Sequence, residues 1–349
     1  MRQGLQIQGL AEELERQRKS KRDYLIDTRS MQFALANDSV VLAVDLPGDG
    51  ATEMPLRKTA HRQFGLALDI PKKYYDRMAD QAPDLLALNL NHWLRAAPKR
   101  KLLRTMDGDV RALLSDRYRP LDNYDLAAAV LPKLGELDAE VVSSDITEDW
   151  FYLKATTPKI IGDVQEGDTI QAGIVVANSE VGAGALKIEE MDYRLVCING
   201  MIRSVAVRKT HLGRGNDPMD GAREFFRDET RRLEDAAFWN KVVDTTTSLF
   251  DQERFDRRLL EYKDSMGRDL SNPIKAVEAV ASKLDFSEGE QDNVLSHLIR
   301  GGDLTQWGLA NAVTRASQDV EDYNRATEME SAGGQIIELP PEDWAGVSA

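Results

Sequence analysis

Apolar residues in this chain change their spacing several times, and the changes outline its elements. Residues 31–47, MQFALANDSVVLAVDLP, alternate and are rich in β-branched side chains, which predicts one or two strands ending at Pro47, Gly48 and Gly50. Before them, residues 1–30 form a charged leader on which Leu10 and Leu14 make only a weak helical stripe, so a helical or frayed segment without assigned function is expected. Helices follow, opened by Pro55, Pro71 and Pro83, with Gly65 placed to end the first and Pro98 to stop the last.

A β-rich section begins near Leu102. LLRT and VRALLS flank Asp107-Gly108, a pair that supplies the positive φ angles of a tight hairpin turn. Asp122 or Asn123 caps a helix that Pro132 and Gly135 are expected to end. AEVVSS and DWFYLKATT predict a second hairpin, and TIQAGIVVAN and ALKIEEMDYRLVC a third, joined through SEVGAG. Asn199-Gly200 predicts one more turn. From Asp217 to Ser331 the period becomes helical. Asp217-Pro218 starts a helix with Phe225, Phe226, Leu233, Ala237 and Val242 near one face, and Asn272-Pro273 opens the next. Ser287 and Glu290 form a capping box before a helix ended by Gly301-Gly302; Thr305 caps a long helix closed by Gly333-Gly334.

These elements give an α+β fold: a central antiparallel sheet with flanking helices and a helical C-terminal region. The expected division is a leader (1–30), a strand and helical part (31–100), a β-rich core (101–216), a helical region (217–334) and an acidic tail (335–349).

Composition narrows the function classes. The 349 residues suffice for one to three domains. The longest apolar runs fall far short of the roughly 18 residues that span a bilayer, and the N-terminus lacks the apolar region of a secretory signal, so no membrane association and a cytoplasmic location are expected. The single cysteine allows no intrachain disulfide, and four scattered histidines make no zinc cluster; neither metal nor cofactor is expected. A net charge of -14 argues against indiscriminate adhesion to nucleic acid, but the charge is uneven. Arg95 to Arg119 carries eight basic and three acidic residues, whereas the last 31 residues carry eight acidic residues and only Arg325.

Candidate chemistry is sparse. Strand alternation puts Cys197 on the face of Tyr193 and Leu195, which predicts an inert buried thiol rather than a nucleophile. SEVGAG brings bare backbone to the surface, where it serves either as a hairpin loop or as a receptor for phosphate, though it lacks the P-loop pattern. Arg111, Arg117 and Arg119 lie among Tyr118 and Tyr124, just after Lys99, Arg100 and Lys101. Guanidinium groups for phosphate and aromatic faces for bases are what single-stranded nucleic acid binders use. The same arginines could instead pair with Asp107, Asp109, Asp116 and Asp122 along a strand edge. Carboxylate pairs such as Glu189-Glu190 suit magnesium in principle, but 59 acidic residues produce such pairs by chance. No G-x-S-x-G, H-E-x-x-H or post-strand G-x-G-x-x-G occurs, so no catalytic residue is assigned and no enzyme is expected.

Three blocks, VRALLSDRYRPLDNYDL, GIVVANSEVGAGAL with YRLVCINGMI, and LTQWGLANAVTRASQDV, closely resemble the signature blocks of a phage- and plasmid-associated family, domain of unknown function 932, over roughly Pro55 to Gly334. The resemblance implies a mobile-element protein of a bacterial cytoplasm and carries over no catalytic residue. Element order between Leu102 and Arg232 is also similar to phage single-strand annealing proteins, which implies a homo-oligomer that holds DNA in a basic groove without ATP. The resulting expectation is a protein that binds single-stranded DNA through Lys99, Arg100, Lys101, Arg111, Arg117, Tyr118 and Arg119 and assists annealing or recombination. The alternative is a non-enzymatic interaction or structural protein whose helical region meets a host or phage protein.

Overall fold

In the computed structural model, which describes residues 1, 2, 4–46, 48–209 and 228–348, the leader is part of the fold. Helix α1 (Ile7–Ser20) buries Leu10, Leu14 and Gln17, and strand β1 (Arg22–Asp27) follows it. Strands β2 (Met31–Ala36), β3 (Ser39–Leu46) and β4 (Gly50–Pro55) make an antiparallel meander, its first turn formed by Asn37 and Asp38, both at positive φ. Pro55 ends β4 instead of opening a helix, and α2 (Lys58–Ala67) begins three residues later with Gly65 inside it. Helices α3 (Lys72–Gln81) and α4 (Pro83–Ala96) start beside Pro71 and Pro83 as the sequence predicts. Their buried faces meet the meander around Phe33, Leu42, Phe64 and Leu90.

Strands β5 (Arg100–Met106) and β6 (Asp109–Ser115) form the hairpin around Asp107-Gly108, where φ is +57° and +85°. β1 joins β5 to give a three-stranded sheet in the order β1-β5-β6. Helix α5 (Asn123–Glu136) runs through Pro132 for one further turn before Asp138 reverses the chain at φ +50°.

The main sheet is an antiparallel five-stranded meander of β7 (Glu140–Ile146), β8 (Phe151–Gln165), β9 (Asp168–Asn178), β10 (Leu186–Arg194) and β11 (Asn199–Lys209). Phe151, Leu153, Ile174, Val176 and Ile188 pack with α1, α5 and α6 (Asp228–Leu249). The helix start expected at Asp217-Pro218, with Phe225 and Phe226, lies outside the described residues, as does Pro47. Within α6 Val242 is buried but Leu233 and Ala237 are exposed, so the expected apolar face is only partly used.

Helices α7 (Gln252–Met266), α8 (Pro273–Lys283), α9 (Glu288–Gly301), α10 (Gln306–Ala316), α11 (Tyr323–Ile337) and α12 (Pro341–Ser348) share a second core with Ile170, Ala172 and Met201 of the sheet. The capping box at Ser287 and Glu290 and the left-handed Gly302 bound α9 as predicted. The single helix expected after Thr305 is instead two, separated by a 3-10 turn at residues 317–319, and Gly333 and Gly334 lie inside α11. The reason is close packing: a Cβ on Gly334 would stand 2.0 Å from the Ile202 carbonyl oxygen. The tail is no polar extension, because α12 buries Trp344 and Val347.

The turn between β10 and β11 comprises residues 195–198, with Ile198 at φ +53°, while Asn199 and Gly200 pair within β11. Cys197 therefore sits half-buried in a turn, 3.4 Å from Nη1 of Arg194, and not on an apolar strand face.

Candidate nucleic-acid interface

The seven residues predicted to hold DNA separate into two groups. β6 turns Arg111 inward, where it is 3% exposed and donates from Nη1 to Glu180 at 2.5 Å. Tyr118 is buried too, its hydroxyl donating to the Ser179 carbonyl at 3.0 Å. Neither reaches a ligand on the surface. Both belong to a hub in which the SEVGAG loop, leaving β9, docks on the β1-β5-β6 sheet. Glu180 also accepts from the backbone N–H of Asn123 at 2.6 Å and from Lys21 at 3.4 Å. Arg104, another inward residue of β5, donates to the Glu180 carbonyl and to the carboxylates of Asp23 and Asp122. Asn178 closes the network on Leu121 and Asn123.

Burial alone would raise the Glu180 carboxyl, but the charges of Arg111, Lys21 and Arg104 outweigh it and hold the group well below the usual carboxylate range. Burial pushes the phenol of Tyr118 up. The loop is thus a structural anchor rather than an open phosphate receptor, and Gly184 is required where Trp150 covers it, since a Cβ there would lie 2.2 Å from the indole.

Arg119 is half-buried and paired with Asp235 of α6, with its guanidinium over the ring of Phe238. It is tied to the fold, as the alternative pairing reading required, although the partner comes from a distant helix. Tyr124, the other aromatic of the block, is half-buried with Arg18 of α1 over its ring.

The second group stays at the surface. Lys99, Arg100 and Arg117 are exposed and Lys101 is half-buried; none of the four forms an ion pair among the described residues. β5 begins at Arg100, and Lys101 stands opposite Ser115 at the exit of β6, two residues before Arg117, so one end of the β1-β5-β6 sheet gathers all four. Reciprocal bonds between Lys99 and Thr28 pin the entry to β5. Asp27, which stands across β1 from Arg100, is already occupied by Arg29 at 2.8 Å. Burial first, and then the neighbouring charge of Lys99, lower the pKa of Lys101, with Asp116 opposing them.

Sequence reasoning passed over an aromatic surface on α4, the helix that precedes β5 in the chain. The last turns of α4 expose His92, Trp93 and Arg95 along an open groove of about 870 Å³ shared with Gln32 of β2. By spacing Trp93 continues the edge of the apolar stripe of Leu86, Leu90 and Leu94, so the sequence pattern reads it as core although it is exposed. Arg104 and Glu180 were missed as well, because a buried charge is not distinguishable from a surface one by residue type.

A family model described as Domain of unknown function (DUF932) matches residues 112–332, well over half of the chain, and the chain belongs to that family. The matched span starts later than the Pro55 expected from the signature blocks. No curated protein and no solved structure matches the chain. Among the described residues no helix is long and apolar enough to cross a membrane.

Proposed function

We propose that this member of the DUF932 family binds single-stranded DNA across the basic end of its first sheet, as a binding protein rather than an enzyme. The carrying observation is the gathering of Lys99, Arg100, Lys101 and Arg117 at one end of the sheet with no ion pair to a carboxylate among the described residues. Like charges held together gain most from a polyanion, whose phosphates relieve their repulsion and release condensed counterions. Trp93, with Arg95 and Lys99 in the next six residues, offers the stacking face that single-strand binders pair with such charge. The footprint differs from the sequence expectation: Arg111, Tyr118 and Arg119 support the fold, and Trp93 replaces Tyr118 as the stacking residue.

The net charge of -14 confines binding to this end and disfavours indiscriminate adhesion. Strand annealing or recombination in a phage or plasmid setting, by a homo-oligomer in a bacterial cytoplasm, is the role this binding would serve. The test is fluorescence anisotropy with a labelled oligonucleotide over a series of salt concentrations. Lys99→Ala and Arg117→Ala are each expected to weaken binding and to lower the logarithmic salt slope by about 0.7. Trp93→Ala is expected to weaken binding by about 1–3 kcal/mol with the slope unchanged. Unchanged affinity and slope in Lys99→Ala/Arg117→Ala would remove the interface.

A further inference from the structure

A second arginine-rich site lies on α7, β11 and the end of α11. Arg254, Arg257 and Arg258 occur at positions i, i+3 and i+4 of α7 and so share a face. With Arg203 of β11 and Arg268 just beyond α7 they line a cavity of about 560 Å³. Two of these side chains are more than nine-tenths buried, Arg203 at 5% exposure and Arg258 at 6%. Arg258 is fixed by a fork onto Asp192, at 2.7 and 2.9 Å, yet its Nη1 has no acceptor in hydrogen-bonding geometry, although Glu190 lies 3.0 Å away. Arg203 donates from Nη2 to Glu261; its Nε lies 3.3 Å from Glu338 but outside hydrogen-bonding geometry, and its Nη1 has no acceptor.

Buried guanidinium N–H groups without acceptors are costly, and an oxyanion is the group that satisfies several of them at once. The carboxylates around them are not equivalent. Asp192 and Glu190 are inside and held by Arg258 and Arg254, whereas Glu261 and Glu338, which face Arg203, are 54% and 34% exposed. Glu261, the more exposed of the two, can turn to water, which would leave its place on Arg203 to an oxygen of a ligand.

We infer that this cavity binds a phosphate group, either inorganic phosphate or the phosphate of a small ester such as a nucleotide. The volume falls within the range of small-molecule sites and exceeds what a bare phosphate fills. A long polyanion is disfavoured by the exposed carboxylates of Glu261 and Asp264 at the rim. The site shares no residue with the basic end of the first sheet, so the two readings stand or fall separately.

The test is isothermal titration of the full chain with inorganic phosphate and, separately, with adenosine 5′-monophosphate. Glu261→Gln/Glu338→Gln is expected to tighten binding on the order of tenfold by removing the competing carboxylates. Arg203→Lys is expected to weaken it on the order of tenfold through loss of the planar fork. Arg257→Ala, at an exposed position that folding tolerates, is expected to weaken it as well. Tighter binding of the nucleotide identifies an ester ligand, and equal or tighter binding of phosphate identifies the free ion. Absence of heat from both ligands with both the wild type and Glu261→Gln/Glu338→Gln would overturn the assignment. So would binding that neither Arg203→Lys nor Arg257→Ala alters.

Discussion

Glu180→Gln replaces a buried carboxylate by an amide of nearly the same shape. The amide oxygen can still accept from the Asn123 N–H, but Arg111 loses its only charged partner among the described residues, and Lys21 loses Glu180 while keeping Asp122. Removing one member of a buried ion cluster costs about 3–5 kcal/mol, because the cations that remain have already given up their hydration. Against a total stability of about 5–15 kcal/mol, that is a large fraction. In urea titration followed by tryptophan fluorescence, a slope of about 2–3 kcal/mol/M turns the loss into a midpoint lower by about 1–2.5 M. Glu180→Gln/Arg111→Met removes both charges of the shortest pair and is expected to lose at least about 1 kcal/mol less than the two single changes added together. Acid titration gives the sign independently. The folded carboxyl is held below its ordinary value of 4.5, so its contribution is complete above that pH and disappears as pH falls towards the folded pKa. Glu180→Gln should therefore flatten the acid side of the stability profile. A single variant within about 0.5 kcal/mol of wild type, or a double variant that is simply additive, would refute the hub as an ionic clamp.

Gly184→Ala forces a methyl into the Trp150 ring and should cost about 1–3 kcal/mol, while Gly9→Ala in α1, where a Cβ meets nothing within 4 Å, should add about 0.4–1 kcal/mol; thermal melts read both. Lys154 and Glu330 are fully buried partners 2.6 Å apart, so Lys154→Met should cost about 3–5 kcal/mol by stranding the carboxylate, and Lys154→Met/Glu330→Gln should recover much of that loss in the same urea assay.

The α+β class and the central antiparallel meander were legible because alternation and turn chemistry act locally: Asp107-Gly108 turns the chain where its dihedral preferences demand, and Ser287 with Glu290 caps α9 through its own first turn. Errors arose where distant packing decides. Pro132 does not end α5, since the helix loses one hydrogen bond but keeps Leu134 buried against the sheet. Gly333 and Gly334 have the form of a helix stop, yet their missing side chains serve the contact of α11 with β11 and α10. The candidate site was half visible for the same reason. Composition placed charge between residues 95 and 119, but whether an arginine faces water or a carboxylate depends on the SEVGAG loop, about 70 residues away from Arg111 and Arg104.

The segment matched by the family model does not coincide with the packed elements of the fold. It begins at Ala112, midway along β6, and so divides a hairpin whose other strand supplies Arg104 and whose lost residue is Arg111. Cut out alone, residues 112–332 would carry Glu180 into the interior without its cations, leave half of β6 as an unpaired edge, and strip α12 from α8. The module recognised by descent therefore draws the counter-charges of its buried glutamate, and the partner of its first strand, from the residues that precede it.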